Sequence, residues 1–171
     1  STQRILNLLS EPVHVSDSGG EELPEPVRGE ISIEQLGFHY PSSGAGIDGV
    51  SLHVPAGNTL ALVGATGSGK STLVKLLLRF YDPDHGEIRI DGKPIASLRL
   101  RNLRETIGLV SQDVYLFEGS IRDNLAYGNP HATDEEIIDA AQTAEAWSFI
   151  RELPDGLATA VGERGVRLSG G

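Results

Sequence analysis

The stretch Gly64-Ala-Thr-Gly-Ser-Gly-Lys-Ser71 fills every position of the pattern G-x-x-x-x-G-K-[ST]. The glycines of this pattern let backbone amides point inward around a phosphate, in conformations that other residues adopt only at a cost. Lys70 then reaches the β and γ phosphates, and the Ser71 hydroxyl is available to Mg²⁺. We therefore predict a nucleoside triphosphate site built from one continuous set of residues: Gly64, Ala65, Thr66, Gly67, Ser68, Gly69, Lys70, Ser71 and Thr72.

The sequences on both sides of this phosphate loop (residues 64–71) supply the order strand, loop, helix that the pattern requires. Residues 59–63 are an apolar run that predicts a buried strand, and residues 72–80 carry apolar side chains at helical spacing. The alternative is a glycine-rich turn that only links a strand to a helix. A helix that begins at this point directs its unpaired amides and positive dipole end toward an anion, which favours phosphate binding.

The composition limits the class of protein. A chain of 171 residues is long enough for one domain with a proper core. Its formal net charge of −10 disfavours binding to nucleic acid, because the surface as a whole repels phosphate backbones. We find no apolar stretch long enough for a membrane span, no secretory signal and no cysteine, and we expect the chain as it stands to be soluble.

The sequence on both sides of the phosphate loop predicts a linker followed by strands. Residues 2–9 have the spacing of a short helix, the tail of a longer one, and the acidic segment (residues 12–29) reads as a solvated linker rich in Ser, Gly, Pro and Glu. Alternation of apolar residues and turn signals predicts strands at residues 31–38, 50–54, 87–90 and 107–110. A tight turn is predicted at Asp91-Gly92.

The C-terminal part predicts two helices. The first covers residues 120–127 and is opened by Ser120 with Asp123 three residues later. The second covers residues 133–147, where Thr133 and Glu136 have the spacing of a capping box. Its acidic face is interpreted as plain solvated surface.

Four further segments, in order around the phosphate loop, make the chain resemble the nucleotide-binding domain of an exporter-type ABC transporter. The resemblance extends from about residue 1 to residue 171. Phe38-His-Tyr-Pro41 resembles the family's aromatic loop, which implies that Tyr40 stacks on adenine; the alternative is an ordinary aromatic residue at a strand end. Val110-Ser-Gln-Asp113 resembles the Q-loop, which implies that Gln112 contacts Mg²⁺ and the attacking water and senses the γ phosphate.

The third segment, residues 114–128, closely resembles the exporter segment that receives the coupling helices of the membrane domain. Tyr115, Leu116 and Phe117 place three large apolar groups in a predicted loop, and such a patch usually marks a contact. The alternative is that they fold back into the core of the helical subdomain.

The fourth segment, residues 161–171, resembles the exporter X-loop followed by the start of the LSGGQ signature. In the family, residues matching Ser169 and the Gly170 amide bind the γ phosphate held by the opposite subunit. The pair Glu163 and Arg164 is equally compatible with a surface salt bridge.

The resemblance implies an α/β fold with a P-loop NTPase-like core, an antiparallel β subdomain and part of a helical subdomain, incomplete at the C-terminus. Residues 1–29 would be the tail of a helix plus the acidic linker. Residues 30–171 would be the N-terminal part of the nucleotide-binding domain, with the helical subdomain from about residue 113.

The resemblance also implies a function. The ligands would be ATP and Mg²⁺, and the partners a second nucleotide-binding domain, in a homodimer or heterodimer, and a transmembrane domain reached through residues 115–117. The site would lie on the cytoplasmic face of a membrane, where hydrolysis in the intact dimer powers export. No counterpart of the catalytic Glu or the switch His occurs in the 171 residues, so we expect the fragment alone to bind ATP without hydrolysing it.

Two alternatives from other classes remain at this point. A soluble ABC-type ATPase acting on nucleic acid or ribosomes is disfavoured by the exporter-like residues 112–128 and by the acidic charge. A non-catalytic nucleotide-binding module stays open, because the residues that would decide it are not in the sequence.

Overall fold

The structure is a computed structural model that describes residues 15–17, 20–112 and 115–162. The chain divides into two compact units, Ser1–Gly108 and Leu109–Gly171. The first carries a sheet and the phosphate loop, and the second is mainly helical. The helix predicted at residues 2–9 and the signature-like residues 168–171 lie outside the described residues.

An antiparallel four-stranded sheet forms the body of the first unit. Its strands lie in the order β2-β1-β3-β4, which confirms the predicted antiparallel β subdomain. The bounds are β1 (Ile31–His39), β2 (Gly46–Val54), β3 (His85–Ile90) and β4 (Lys93–Pro94).

A bulge in β1 allows this strand to bury residues at an irregular spacing. Ile33 pairs with Ile88, but the register shifts before Leu36, and Gln35 between them has a φ of 45°. Such a bulge inserts one residue and reverses which face the following side chains occupy. Ile33, Leu36 and Phe38 therefore all enter the core of the first unit.

The turn after β3 holds the start of β1 through one carboxylate. Ile90 pairs with Lys93 across Asp91-Gly92, so the predicted tight turn is confirmed. The Asp91 carboxylate accepts backbone N–H donors from Arg28 at 2.7 Å, Gly29 at 3.4 Å and Glu30 at 2.9 Å. Desolvation raises the pKa of Asp91, but these three donors and the Arg28 charge outweigh it and hold the pKa below its usual 3.8.

We expect Asp91→Asn to lower the free energy of unfolding at pH 7 by about 1 kcal/mol, because one acceptor oxygen becomes an amide that faces N–H donors. A lowered folded-state pKa stabilises the protein above the unfolded-state pKa, and that contribution is lost as the pH falls through the folded-state value. The difference between wild type and variant should therefore be full at pH 7 and shrink below about pH 4.

Denaturant unfolding at pH 7 and pH 3 measures this difference. Asp139→Asn, on an exposed helix face of the second unit, serves as the control and should change little at either pH. An Asp91→Asn deficit of the same size at both values would contradict the assigned role of the carboxylate.

In the described part of the first unit, α1 (Lys70–Leu77) and α2 (Leu100–Thr106) share the core of the sheet through Leu76 and Leu103, and a 3₁₀ turn lies at Ile95–Ser97. On α1, Thr72 and Leu76 lie four residues apart and are both buried. The predicted helix over residues 72–80 ends earlier than expected. Arg79 adopts a left-handed φ of 50°, and the Phe80 N–H donates to the Lys75 carbonyl, which is a Schellman ending built without glycine.

Arg79 is itself buried, with 3% of its surface exposed. Its guanidinium pairs with Asp82 at 2.9 Å and donates to the carbonyls of Ile95, Leu98 and Ser16. This cluster of acceptors compensates a buried charge that would otherwise be costly. One side chain thus joins the end of α1, the 3₁₀ turn and the N-terminal chain.

The described part of the acidic segment packs against the rest of the first unit, whereas the sequence predicts a solvated linker. Leu23 is buried in the core. The Glu21 N–H donates to the Ser97 carbonyl, and the Glu21 and Glu22 carboxylates pair with Lys93 at 2.8 Å and Arg99 at 3.0 Å. These acidic residues therefore have specific basic partners. The linker prediction considered only how few apolar residues the segment contains, and ion pairs do not depend on that number.

The apolar runs at residues 59–63 and 107–110 were predicted as strands, and in the part of the chain that the structure describes neither is paired as a strand. Val63 is 93% and Val110 98% exposed. An apolar run becomes a buried strand only when neighbouring strands supply hydrogen bonds and cover its faces, and no described strand does so here.

The described residues of the second unit contain three α-helices, α3 (Ile121–Leu125), α4 (Asp134–Thr143) and α5 (Trp147–Ile150). They also contain a short pair of strands, β5 (Gly119–Ser120) with β6 (Ala160–Val161). Ile121, Ala141, Ile150 and Val161 form the core of this unit. Among the described residues, no helix has the length and apolar character needed to cross a bilayer.

Both predicted caps in the second unit are confirmed. Ser120 with Asp123, and Thr133 with Glu136, form reciprocal capping boxes at the starts of α3 and α4. The helix predicted to reach residue 147 stops at Thr143, because Glu145 has a φ of 57° and the Ala146 N–H donates to the Ala141 carbonyl. This is a second Schellman ending without glycine.

Candidate nucleotide-binding site

The phosphate loop closes around the Lys70 ammonium. Lys70 Nζ donates to the Gly64 carbonyl at 2.7 Å and the Ala65 carbonyl at 2.8 Å, and it lies 3.3 Å from Ser68 Oγ. The cation is therefore placed inside the loop by the loop's own oxygens. A triphosphate bound there would meet a positive charge that is already in position.

Gly69 joins the phosphate loop to α1 and has to be a glycine for two reasons. Its φ of 91° lies in the left-handed region, and a Cβ there would collide with the Cγ2 methyl of Ile47 on β2. Gly69 also sits at the N-cap, where it has no side chain to occupy the first amides of the helix. Those amides and the helix dipole are directed at the loop.

The charge at the start of α1 also favours an anion. Its first turn, Lys70-Ser-Thr-Leu73, contains no acidic residue that would neutralise the dipole. Ser71 is exposed in this turn, so its hydroxyl is accessible to a metal ion. The described residues contain no group of three or more acidic or histidine side chains that could hold a metal alone. A hard cation at this hydroxyl would need phosphate oxygens as further ligands, as Mg²⁺ does in nucleotide sites.

Tyr40 lies beside α1, in the same unit as the phosphate loop. Its hydroxyl donates to Thr72 Oγ1 at 3.4 Å, and Lys75 Nζ lies 5.7 Å from the centre of its ring. Tyr40 also contacts Phe38 and Tyr81, and these three rings form an aromatic cluster. Of these three rings, the sequence pattern indicated only Tyr40 as a base-stacking residue. Tyr81 follows directly after the Schellman ending of α1 at Arg79 and Phe80. The change of chain direction there brings Tyr81 to Tyr40.

This loop and ring belong to a chain that is similar to known proteins over most of its length. The model of a family described as "ABC transporter" matches residues 47–171, which is most of the chain. The chain belongs to the ABC transporter family.

Curated relatives and solved structures of ABC transporters agree with this. An uncharacterized ABC transporter ATP-binding protein of Bacillus subtilis, YknV, is 45% identical over 171 residues, and the match covers 100% of this chain and 28% of YknV. An ATP-dependent lipid A-core flippase of Chromobacterium violaceum is 44% identical over 172 residues, covering 100% of this chain and 29% of the flippase. The chain therefore spans less than a third of the length of these relatives.

A solved structure of a bacterial Atm1-family ABC exporter with ATP bound superimposes with a TM-score of 0.85 and 38% identity, over 99% of this chain and 30% of the exporter. The fold is that of the nucleotide-binding domain of an ABC exporter. This confirms the predicted fold class and the resemblance to the exporter type.

The other predicted ABC residues fall in the second unit or beyond the described residues. Gln112 is exposed in the second unit. Ser169 and Gly170 lie outside the part of the chain that the structure describes. The same holds for Glu163 and Arg164.

The three apolar residues predicted as a contact of this ABC domain do not behave alike. Leu116 is partly buried against the core of the second unit, which was the alternative for all three. Tyr115 is 77% and Phe117 43% exposed. The Phe117 ring stacks on Tyr127 at 4.3 Å with an interplanar angle of 11°, a neighbour that the sequence pattern does not indicate. Tyr115, Phe117 and Tyr127 form an exposed aromatic patch.

Proposed function

We propose that this chain binds Mg·ATP as the nucleotide-binding part of an ABC exporter subunit, and that ATP hydrolysis in the intact dimeric transporter powers export across a membrane. One observation carries the proposal: the Lys70 ammonium is held inside the phosphate loop at the uncapped start of α1. Family membership and the ATP-bound exporter of the same fold support it.

The triphosphate is bound by residues 64–72. Its oxygens accept hydrogen bonds from loop amides and from Lys70, which exchanges the Gly64 and Ala65 carbonyls for charged acceptors. Hydrogen bonds between two charged partners are shorter and stronger than those to neutral carbonyls, so the exchange favours the bound state. The adenine base stacks on the Tyr40 ring, which lies next to α1.

The Ser71 hydroxyl and phosphate oxygens would hold Mg²⁺, which neutralises phosphate charge when bound. A metal role for Gln112, together with sensing of the γ phosphate, is proposed from the family resemblance alone. The same basis assigns Ser169 and Gly170 to the ATP of a second nucleotide-binding domain, in a homodimer or heterodimer.

The aromatic patch is the proposed contact with a transmembrane domain. Its exposure supports this role, because clustered exposed aromatic side chains are typical of protein interfaces. The domain would then lie at the cytoplasmic face of a membrane. Residues 1–29 are proposed as the helix tail and connection to the membrane part, and residues 30–171 as the N-terminal part of the domain.

A calorimetric titration of the chain with Mg·ATP, with phosphate release followed in the same sample, tests the proposal. We expect saturable binding without steady phosphate release. Hydrolysis requires a group that orients or deprotonates the water, and no apolar run followed by Asp-Glu occurs among the 171 residues. A folded sample that fails to bind ATP would contradict the binding role. A steady turnover that Lys70→Ala abolishes would contradict the expected lack of hydrolysis.

A further inference from the structure

The backbone of Tyr40 is fixed by a tight loop after β1. Its N–H donates to the Ala45 carbonyl at 2.8 Å, and its carbonyl accepts the Gly44 N–H at 2.8 Å. These backbone hydrogen bonds fix the position of the Tyr40 Cα atom, from which the side chain projects. They do not set the direction of the ring, since a tyrosine side chain can still rotate about two bonds.

Two other rings restrict that rotation. The Tyr40 ring meets Phe38 edge-on, with centres 4.9 Å apart and an angle of 84°, and meets Tyr81 at 5.3 Å and 86°. Phe38 and Tyr81 also contact each other at 5.1 Å. Edge-to-face pairs at these distances are the favoured arrangement of aromatic side chains.

Phe38 and Tyr81 differ in what else they do. Phe38 is buried in the core of the first unit, so it has a packing role independent of Tyr40. Tyr81 is only partly buried and borders a small cleft of about 180 Å³ with Phe38, Pro41 and Asp82. It reaches Tyr40 from the chain just after α1, whereas Phe38 and Tyr40 belong to the same strand and its loop.

We propose that Tyr81 is a positioning residue for recognition of the nucleotide base: its ring holds Tyr40 in the orientation that receives adenine. A ring that is already oriented loses less freedom when the base binds, so the affinity for the base is higher. The inference rests on the proposed function, in which Tyr40 stacks on adenine. Tyr81 has no part in binding the phosphates.

The test separates base from phosphate by titrating the chain with Mg·ATP and with magnesium and inorganic triphosphate. Tyr81→Ala should weaken ATP binding about threefold to tenfold, the range for loss of one aromatic pair, and leave triphosphate binding within about twofold. Tyr81→Phe keeps the ring and should restore the wild-type ratio. Tyr81→Leu keeps apolar volume without a ring and should behave as Tyr81→Ala, so it replaces that variant if the alanine protein does not fold.

Phe80→Ala is the matched control. Phe80 is the neighbouring aromatic residue, is 47% exposed and lies against Arg104 rather than Tyr40. Its loss should leave the ratio of the two affinities unchanged. Thermal unfolding of every variant verifies that the samples compared are folded.

The outcomes distinguish the two levels of the proposal. Equal weakening of ATP and triphosphate in Tyr81→Ala and Tyr81→Leu would mean that Tyr81 only supports the fold, which overturns the inference. A preference for ATP that Tyr40→Ala removes but both Tyr81 variants retain would overturn the inference and leave the base site at Tyr40 standing. A wild-type chain that binds inorganic triphosphate as tightly as ATP would overturn both the role of Tyr81 and the base site at Tyr40.

Discussion

Lys70→Ala is expected to weaken Mg·ATP binding by at least about 100-fold. The ammonium lies inside the phosphate loop, within 2.8 Å of two carbonyls, so it is in place before the nucleotide arrives. Hydrogen bonds that involve charged groups contribute roughly 1.5–3 kcal/mol each, and every 1.4 kcal/mol is about tenfold in affinity. Loss of two such bonds to phosphate is sufficient for the expected effect. Calorimetric titration measures it directly.

Lys93→Ala is the matched control, because the chain has only three lysines and Lys93 forms a partly exposed ion pair with Glu21 on the sheet. We expect its affinity for Mg·ATP to match wild type, with a change in stability of at most about 1 kcal/mol. A similar loss in both variants would indicate that net charge, and not the position of Lys70, governs binding. Retained affinity in a folded Lys70→Ala protein would contradict the proposed phosphate site.

Gly69→Ala is expected to be the most destabilising single change in the phosphate loop. A Cβ at this position has to adopt a φ of 91° and displace the Ile47 methyl group from the core. Strain of the left-handed conformation costs roughly 1–2 kcal/mol, and overpacking of a core costs about 1–3 kcal/mol. We therefore expect a loss of about 2–5 kcal/mol in the free energy of unfolding, and loss of ATP binding because the start of α1 moves.

Gly67→Ala separates the two causes. Gly67 has a φ of 85°, but an added Cβ would meet no atom within 4 Å, so this variant suffers only the backbone strain. Denaturant unfolding should place Gly69→Ala below Gly67→Ala by the overpacking cost. Ile47→Ala combined with Gly69→Ala should recover part of that difference, since the colliding methyl is gone. Equal stabilities of the two single variants would argue against the Ile47 contact.

The parts of the fold that local chemistry determines were predictable. The phosphate loop, the tight turn at Asp91 and the caps at Ser120 and Thr133 all follow from short patterns whose partners lie within a few residues. Strands β1 and β3 and the second half of β2 were located from alternation, but the start of β2, the strand β4 and the bulge at Gln35 were not foreseen.

The parts that depend on distant residues or on unusual backbone were not predictable. Helices α1 and α4 end at Leu77 and Thr143, and the left-handed residues that follow, Arg79 and Glu145, are not the usual glycine and so give no sequence signal. Tyr81 reaches Tyr40 only because α1 ends where it does. The ion-pair partners of Glu21 and Glu22 lie more than 70 positions away in the sequence; Lys93, the partner of Glu21, is separated from it by 72 positions.

The buried Arg79 guanidinium has a consequence for how the first unit comes apart. It donates hydrogen bonds to the carbonyls of Ser16, Ile95 and Leu98 and to the Asp82 carboxylate. If one of these segments detaches, the buried guanidinium loses an acceptor, which is costly for a charged group. The entering chain and the end of the phosphate-loop helix therefore open as one cooperative unit and do not fray separately. A force applied to the N-terminal chain would therefore be transmitted, through the Arg79 hydrogen bonds, to the helix that begins with Lys70.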